Sequence, residues 1–453
     1  MLEEKYVLTD DDNLDRCASD QTEDLRYLPE VVLQPGTTKE VSNIMSYCNE
    51  HLIPVTPRGA GTGLSGGALP VRGGVALDMK RFNKILNVDK RNFQVTTEPG
   101  VITQELQEHL KAEGLFYPPD PASKGSCFIG GNVSENSGGP RAVKYGVVKD
   151  YVLNLEVVLP NGDVIWTGAN VLKNATGYNL TQLVVGSEGT LAVITKIVLR
   201  LIPAVKHDLL LLVPFRSAVE ACAAVNAIFL AGYTPSALEF MERDALEWSM
   251  RYVQSTGIDL PADIAAHLLI EVDGNHMEEL HRDADELSKI VQQYDIDEIL
   301  FADSYEQKQM LWTLRRKVGE AVKSNSIYKE EDTVVPRAEL PELLKIIKDL
   351  GREYGFQSVC YGHAGDGNLH VNIVKGGMSD EDWKTNLPKG IRKLFTEVVR
   401  MGGTLSGEHG IGLVQKEYMD IAFDNVQLGL MRQIKQIFDP KGILNPGKVN
   451  PNP

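Results

Sequence analysis

The sequence predicts an α+β protein with an N-terminal α+β domain, a central α/β domain and a tail that could return to either. Short strands alternate with helices up to about residue 204, and glycine is dense between residues 59 and 190. After residue 205 the helices become longer and more charged, with strands between them. Glycine returns between residues 402 and 412, ahead of a last helix. We therefore expect domains at 1–204 and 205–405 and a C-terminal segment at 406–453.

The elements of the first domain follow from hydrophobic periodicity. A helix beginning at Thr38 presents Val41, Ile44 and Met45 on one face. A strand at residues 53–57 then leads into a glycine-rich stretch. In the second domain one strand is predicted at 267–272, and the predicted helices are 216–231, 277–293, 306–323 and 338–354. The last helix begins near residue 425 and ends at Asp439, before a proline.

Composition and charge limit the class of partner. The chain has 453 residues, which at roughly 150 residues per domain corresponds to two or three domains. Hydrophobic residues make up 43% and charged residues 24%, which excludes disordered, collagen-like and low-complexity classes. The net charge of −16 disfavours nucleic acid or an anionic membrane surface as the main partner. An anionic small substrate needs only local positive charge.

The sequence predicts a cytoplasmic location without an integral membrane segment. No stretch approaches the ~20 apolar residues that span a bilayer. The first residues have no basic region followed by an apolar one, so we expect no signal peptide. The five cysteines are scattered without a CxxC pair, which disfavours a disulfide framework and an iron–sulfur cluster.

A loop of closely spaced glycines follows the strand at 53–57, and it reads Arg58-Gly59-Ala60-Gly61-Thr62-Gly63-Leu64-Ser65-Gly66-Gly67. It contains a GxGxxG match, which would suit a nicotinamide dehydrogenase only if a helix followed directly. Pro70, Gly73 and Gly74 prevent that helix. The bare N–H groups of such a loop can wrap a pyrophosphate, and the alternative is a mobile surface loop.

Two further loops combine glycine with small polar residues. The first contains Pro119 and Asp120 in a proline-rich run and continues into Gly130-Gly131-Asn132-Val133-Ser134-Glu135-Asn136-Ser137-Gly138-Gly139. The second is Gly186-Ser187-Glu188-Gly189. Small side chains allow close approach to a flat polar ligand, and three such loops in one domain are hard to explain as turns alone.

The loops resemble the FAD-binding (PCMH-type) domain of vanillyl-alcohol-oxidase-type flavoproteins. The resemblance is closest to the branch that contains D-lactate dehydrogenase, D-2-hydroxyglutarate dehydrogenase and the FAD-binding subunit of glycolate oxidase. It implies a two-subdomain FAD domain, a cap domain with an antiparallel sheet, and a C-terminal segment that completes the FAD and active site. Neither histidine nor cysteine occurs between Arg58 and Gly74, so the loop offers no covalent link and noncovalent FAD is expected. The implied FAD-binding residues are Arg58, Gly59, Gly61, Thr62, Gly63, Ser65, Gly66, Gly67, Pro119, Asp120, Gly130, Gly131, Asn132, Ser134, Asn136, Gly138, Gly139, Tyr145, Gly146, Glu188, Gly189 and Asn445.

Histidines cluster in the last quarter of the chain. Residues 361–372 read as strand, Gly-Asp-Gly turn and strand, with His363 before the turn and His370 after it. Glu408 and His409 follow in a second glycine-flanked stretch. Two histidines and one carboxylate suit a divalent metal with open positions, and the alternative is a buried, hydrogen-bonded pair of histidines. The resemblance implies that His363, His370 and Glu408 hold the metal, expected to be zinc, and that His409 is the general base.

Arg315 is the candidate cation for a substrate carboxylate. It lies on the apolar stripe of the helix predicted at 306–323, where an arginine can snorkel, pair with an internal acid or face a pocket. The pattern favours the first two, whereas the resemblance implies a substrate-binding arginine here and a substrate-contacting asparagine at Asn372. Some 2-hydroxyglutarate enzymes carry a hydroxyl and a lysine where this chain has Gly319 and Glu330, which argues against a dicarboxylate substrate.

The resulting hypothesis is an FAD-dependent dehydrogenase that oxidises D-lactate or glycolate to the 2-oxo acid. The alternatives are an FAD-binding electron-transfer subunit of a glycolate oxidase complex and a D-2-hydroxyglutarate dehydrogenase. The electron acceptor is expected to be a quinone, an electron-transferring flavoprotein or an iron–sulfur subunit. A homodimer is also possible for such an enzyme.

Overall fold

The chain forms two units in the computed structural model, which describes residues 2–254, 258, 260–302 and 304–450. The first unit comprises Met1–Gly138, Val147–Ala204 and Glu408–Pro453, and the second comprises Gly139–Gly146 and Val205–Gly407. The strands, in chain order, are β1 (Val7–Leu8), β2 (Val31–Leu33), β3 (Val55–Arg58), β4 (Val75–Asp78), β5 (Ile85–Asp89), β6 (Gln94–Thr97), β7 (Leu115–Phe116), β8 (Val152–Val158), β9 (Val164–Trp166), β10 (Val193–Arg200), β11 (Ile202–Pro203), β12 (His207–Phe215), β13 (Ala237–Glu242), β14 (Ala266–Gly274), β15 (Leu300–Ala302), β16 (Tyr328–Val334), β17 (Gln357–Gly362) and β18 (Asn368–Val374).

Helices surround these strands. In chain order they are α1 (Asp11–Arg16), α2 (Thr38–His51), α3 (Thr103–Ala112), α4 (Ile129–Glu135), α5 (Ala142–Tyr145), α6 (Leu180–Val184), α7 (Ala218–Leu230), α8 (Arg243–Val253), α9 (Met277–Val291), α10 (Tyr305–Arg316), α11 (Val318–Asn325), α12 (Leu340–Tyr354), α13 (Asp380–Thr385), α14 (Leu387–Arg400), α15 (Met419–Ala422) and α16 (Asn425–Phe438). Within the described ranges, none of these helices has the length and apolar character that crossing a membrane requires.

The first unit is built on two main sheets. One has the order β1-β2-β4-β3, with β2, β4 and β3 parallel, and the other is antiparallel with the order β5-β6-β10-β8-β9. Helix α2 packs on the first sheet through the predicted face, since Val41, Ile44 and Met45 are buried. The C-terminal segment joins this sheet, because Val55 donates its N–H to Ile443 O at 2.8 Å.

The second unit is built on one seven-stranded antiparallel sheet with the order β15-β12-β14-β13-β17-β18-β16. Strand β13 lies in the middle and all six of its residues are buried. Strands β17 and β18 form the predicted strand-turn-strand around the Gly-Asp-Gly sequence. Both units contain β-sheets together with α-helices, which confirms the predicted α+β class.

Two local features differ from the sequence expectations. The helix expected at 306–323 is two helices, because α10 ends at Arg316 and α11 begins at Val318. Capping explains where α10 begins, since Ser304 and Gln307 form a capping box. The segment Gly139–Gly146, which we expected in the first domain, belongs to the second unit. There the hydroxyl of Tyr145 donates to Asp273 Oδ2 at 2.7 Å.

Candidate functional site

The glycine loop offers a row of free backbone donors. It begins where β3 ends at Arg58, and Gly61 and Gly66 both have φ of 76°. In the described part of the chain, the N–H groups of residues 60–66 donate to no protein acceptor. A Cβ at Gly61 would lie 2.3 Å from Nη2 of Arg58, so only glycine allows the arginine to pass beneath the loop. Successive unused N–H groups form an anion-binding nest, which fits the pyrophosphate of FAD.

The loop lines one side of a cleft that lies within the first unit. The small side chains of α4 and the loop at 186–189 line it as well. The residues implied for FAD that line this cleft are Arg58, Gly59, Gly61, Thr62, Gly63, Gly67, Gly130, Gly131, Asn132, Ser134, Glu188 and Gly189. The small side chains and the donor groups of the cleft thus fit a dinucleotide such as FAD.

Other implied residues lie outside the lining of the cleft and make hydrogen bonds or ion pairs within the first unit. Asn445 donates to the carbonyl oxygens of Gly67 at 3.0 Å and Glu188 at 2.8 Å. Asn136 accepts from the N–H of Lys149, and Asp120 pairs with Lys124. Outside the lining are Ser65, Gly66, Pro119, Asp120, Asn136, Gly138, Gly139, Tyr145, Gly146 and Asn445. Their contact with FAD stays a prediction.

Glu408 and His409 line the same cleft. Oε2 of Glu408 accepts a hydrogen bond from the N–H of Gly138 at 3.1 Å. A Cβ at residue 138 would lie 2.9 Å from that oxygen, so the glycine permits the approach. The C-terminal segment thus places an acid and an imidazole in the wall of the cofactor cleft.

The second unit brings His363 and His370 together. Their ring centroids are 5.3 Å apart and the rings are nearly perpendicular, at 81°. Nδ1 of His363 lies 2.9 Å from each carboxylate oxygen of Glu239, whose side chain is fully buried in β13. A carboxylate on Nδ1 fixes the tautomer and the orientation of the imidazole, which fits a metal-binding histidine. Glu408, the third implied ligand, belongs to the first unit.

His370 has acids on its Nδ1 side. Nδ1 lies 3.5 Å from Oε1 of Glu330 and 3.6 Å from Oδ1 of Asp332, both on the neighbouring strand β16. The register explains this placement, because residue 370 pairs directly with residue 332 and Tyr361. The hydroxyl of Tyr361 donates to Glu330 Oε1 at 3.3 Å, and burial raises the pKa of this tyrosine.

Arg315 pairs with an internal acid. Its side chain is 4% exposed, and Nη2 lies 2.6 Å from Oε2 of Glu239. Cζ also lies 4.9 Å from the ring centroid of Tyr361. This is one of the two arrangements that the helical pattern favoured. Within the described residues Nε has no partner, so the guanidinium retains donor capacity for a second carboxylate.

Asn372 completes the cluster in the second unit. It lies on β18 with His370, as period-2 alternation predicts, and it is fully buried. Its amide oxygen has no hydrogen-bond partner among the described residues. A buried amide with unused capacity is costly unless a ligand meets it, which fits a substrate contact.

Sequence reasoning missed the acids behind the histidines. Glu239 lies between Leu238 and Phe240 in a strand buried on both faces, and a lone acid in such a run was an available signal. Asp332 was also missed, although it accepts from the N–H of Gly407 at 2.8 Å and from Ser406 at 2.9 Å. No spacing rule connects these acids to residues 363–370, because strand pairing brings them together.

Comparisons with known proteins show which family the chain belongs to. Residues 205–449 match the family described as FAD linked oxidases, C-terminal domain, and residues 29–168 match the FAD binding domain. The chain is 39% identical over 425 residues to D-lactate dehydrogenase of Anaerostipes hadrus, covering 93% of this chain and 89% of the relative. It is 38% identical over 445 residues to glycolate oxidase subunit GlcD of Bacillus subtilis (strain 168), covering 97% and 93%.

The structure of p-cresol methylhydroxylase with bound substrate superposes with a TM-score of 0.80, covering 98% of this chain and 93% of that one at 19% identity. At that identity the likeness shows the fold alone. The family matches and the relatives show the family of the chain, because they extend over most of its sequence. The chain therefore belongs to the FAD-linked oxidase family, as a flavoprotein oxidoreductase.

Proposed function

We propose that this protein is an FAD-dependent dehydrogenase that oxidises a small D-2-hydroxy acid, D-lactate or glycolate, to the 2-oxo acid. The observation that carries the proposal is the buried cluster of Arg315, His363 and Glu239 in the second unit. It combines a cation for a carboxylate with an imidazole oriented for a metal. Relatives that bear the names D-lactate dehydrogenase and glycolate oxidase subunit support the same class of substrate.

Arg315 binds the substrate carboxylate in this proposal. A guanidinium suits a carboxylate because its donors form a planar fork, and burial strengthens the charge-assisted hydrogen bonds. The pair with Glu239 holds the guanidinium in place before substrate arrives. Asn372 is a second polar contact for the substrate in this proposal, because its buried amide has unused hydrogen-bonding capacity.

His409 takes the proton of the substrate hydroxyl, because a neutral imidazole accepts a proton near neutral pH. His363, His370 and Glu408 would hold a divalent metal, with zinc preferred for this ligand set. When bound, FAD would supply the hydride acceptor for the alcohol carbon, and the metal would supply a Lewis acid for the hydroxyl. Glu239 orients the imidazole of His363 by holding Nδ1.

A monocarboxylate substrate fits the charges near Arg315 better than a dicarboxylate. Glu330 lies in the same cluster, and its side chain is 7% exposed. A buried acid repels a second carboxylate, and Gly319 contributes no side-chain donor to bind one. This favours a small hydroxy acid with one charge over 2-hydroxyglutarate.

Reoxidation of the flavin requires an acceptor, which we propose to be a quinone, an electron-transferring flavoprotein or an iron–sulfur subunit. The relative named as a glycolate oxidase subunit suggests that a multi-subunit complex is the second candidate. In that case this chain would bind FAD and pass on electrons without oxidising the acid alone.

Anaerobic bleaching of the flavin band tests the proposal. The purified holoprotein is mixed with D-lactate, L-lactate, glycolate and D-2-hydroxyglutarate, and the oxidised flavin absorbance is followed. D-lactate or glycolate should bleach the flavin without any other subunit, whereas L-lactate should not. Faster reduction by L-lactate would contradict the D-assignment. No reduction by any of the four would favour the electron-transfer subunit.

A further inference from the structure

Glu188, a side chain of the cofactor cleft, is hydrogen-bonded to the segment that carries His409. Glu188 accepts hydrogen bonds from the N–H groups of Ile411 at 2.8 Å and Gly412 at 2.7 Å, with a different carboxylate oxygen for each. Both donors lie within three residues of His409 in the sequence. All of these residues belong to the first unit.

The same segment is also hydrogen-bonded to the glycine loop. The N–H of Leu413 donates to the carbonyl oxygen of Ser65 at 2.8 Å. A Cβ at Gly412 would lie 2.2 Å from that oxygen, and residue 412 has φ of 50°. A Cβ at Gly410 would lie 3.0 Å from Oε1 of Glu188. The segment therefore reaches the carboxylate and the loop only because these two positions are glycines.

Glu188 itself adopts a backbone conformation that side chains avoid. Its φ is 51°, in the left-handed region, and its side chain is buried in the cleft wall. A non-glycine residue in this region is strained, and such residues cluster at functional sites. The N–H of Glu188 donates to Ser134 O at 2.8 Å, which holds the residue in this conformation.

We propose that Glu188 is a positioning residue, whose carboxylate fixes the segment 408–412 and thereby the imidazole of His409 in the cofactor cleft. This inference rests on the proposed function for the role of His409. It differs from the FAD contact that the resemblance implies for Glu188, because both carboxylate oxygens are engaged by the protein.

Burial and hydrogen bonding act in opposite directions on the charge of Glu188. Burial raises the pKa of Glu188 to about 7, and the N–H groups of Ile411 and Gly412 together with Lys448 act in the opposite direction. Oε2 of the neighbouring Glu135 has no partner within the described ranges. Of the two buried acids, only Glu188 accepts from the backbone of residues 411 and 412, so the pair provides a matched comparison.

Glu188→Gln and Glu135→Gln test the proposal in the purified holoprotein. A glutamine amide offers one acceptor oxygen, so one of the two N–H groups loses its acceptor in Glu188→Gln. Hydrogen exchange of the peptide containing residues 411 and 412 should accelerate on the order of 10-fold in Glu188→Gln. Exchange of the same peptide should not accelerate in Glu135→Gln, which removes no acceptor from residues 411 and 412. Unchanged exchange in Glu188→Gln would overturn the proposal.

Rapid-mixing flavin reduction by D-lactate gives the second readout. The limiting rate should fall on the order of 10-fold or more in Glu188→Gln, while the half-saturating concentration changes less than about 2-fold, because Arg315 still binds the carboxylate. Faster hydrogen exchange with an unchanged limiting rate of flavin reduction would mean that Glu188 holds the segment without affecting His409. That result would overturn the positioning role. If no hydroxy acid reduces even the parent, the proposed function fails, and the exchange result alone decides whether Glu188 holds the segment. If Glu188→Gln does not retain FAD, Glu188→Asp, which keeps both oxygens on a shorter chain, replaces it in both measurements.

Discussion

Both carboxylate oxygens of Glu239 lie 2.9 Å from Nδ1 of His363. The same carboxylate pairs with Arg315, so one buried acid orients the proposed metal ligand and the proposed substrate anchor together. This coupling means that a change at Glu239 should affect two functions at once, although the residue touches neither metal nor substrate in the proposal.

Glu239→Gln should weaken metal binding while FAD is retained. The glutamine oxygen can still accept from Nδ1–H, but the negative charge that makes the imidazole a better ligand is lost, and loss of such a partner typically costs 10- to 100-fold in metal affinity. Zinc titration of metal-stripped holoprotein measures the affinity, and the flavin absorbance reports FAD content. Glu242→Gln is the control, because Glu242 lies on the same strand but pairs with Lys348. Equal zinc affinity in Glu239→Gln and the parent would contradict the prediction.

His370→Ala should retain FAD but lose the metal and nearly all turnover. The side chain is one of two imidazoles that we expect to bind the ion, and chelation of the parent should have the same effect. Elemental analysis of the purified protein, alongside flavin reduction by D-lactate, checks both parts. His281→Ala, on the exposed surface of α9, should keep metal and activity. An active parent without a divalent ion would show that the metal role is wrong.

Local sequence predicted the parts of the site that lie close together along the chain. The strand-turn-strand around His363 and His370 and the face of α2 follow from periodicity and glycine alone. The break at Lys317 was missed, because an apolar stripe continues from Leu311 through Val318 although the helix does not. The acid partner of His363 lies 124 residues away in sequence and reaches it only through the pairing of β13 with β17.

The same limit applies to the cofactor cleft. Glycine spacing predicted the loop at residues 59–67, because the chemistry of a pyrophosphate nest is local. Lys448 was missed, although Nζ donates to Leu69 O at 2.6 Å and to Asn445 Oδ1 at 2.6 Å behind that loop. A lysine near the end of the chain has no local signal for burial, and only the return of the C-terminal segment to the first unit places it there.

Arg315→Lys should impair substrate binding, whereas His409→Ala should impair the chemical step. A lysine keeps the charge but not the planar fork, so the loss of a charge-assisted contact, roughly 1.5–3 kcal/mol, should lower kcat/KM on the order of 10- to 100-fold, mainly through KM. His409→Ala removes the proton acceptor and should slow flavin reduction at saturating substrate on the order of 10²–10⁴-fold. Rapid-mixing reduction against substrate concentration separates the two. A wild-type limiting rate in His409→Ala would place the base elsewhere.

Glu330→Gln should relax the preference for a monocarboxylate. The substitution removes a buried negative charge near Arg315 while keeping a similar volume, so a second carboxylate meets less repulsion. We expect the ratio of kcat/KM for D-2-hydroxyglutarate to that for D-lactate to rise on the order of 10-fold. Glu320→Gln, on the exposed part of α11, is the control and should leave the ratio unchanged. If the parent already prefers the dicarboxylate, the role of Glu330 in substrate choice is wrong.

Glu135→Gln should stabilise the protein in a way that grows with pH. Burial, together with the nearby Glu188 and Asp20, raises the pKa of Glu135 well above its usual value, while Lys448 acts in the opposite direction. Above the usual glutamate pKa of about 4.3, the unfolded chain is ionised while the folded protein keeps the proton, so folding takes up a proton. The contribution of Glu135 to stability is therefore lost as pH rises through that window. Glutamine is neutral at every pH and avoids this loss.

Thermal unfolding of holoprotein between pH 4.5 and 8 measures the difference. The Tm of Glu135→Gln should match that of the parent near pH 4.5 and exceed it at pH 8, where each kcal/mol corresponds to about 1 °C for a chain of this length. Glu105→Gln changes an exposed carboxylate of α3 and should show no such trend. The opposite trend, in which the advantage of glutamine shrinks as pH rises, would mean that Glu135 is a stabilising ionised carboxylate. Glu135 lies beside Gly410, so an ionised Glu135 would place a negative charge in the wall of the cofactor cleft. We expect the opposite, because burial beside Glu188 favours the neutral acid.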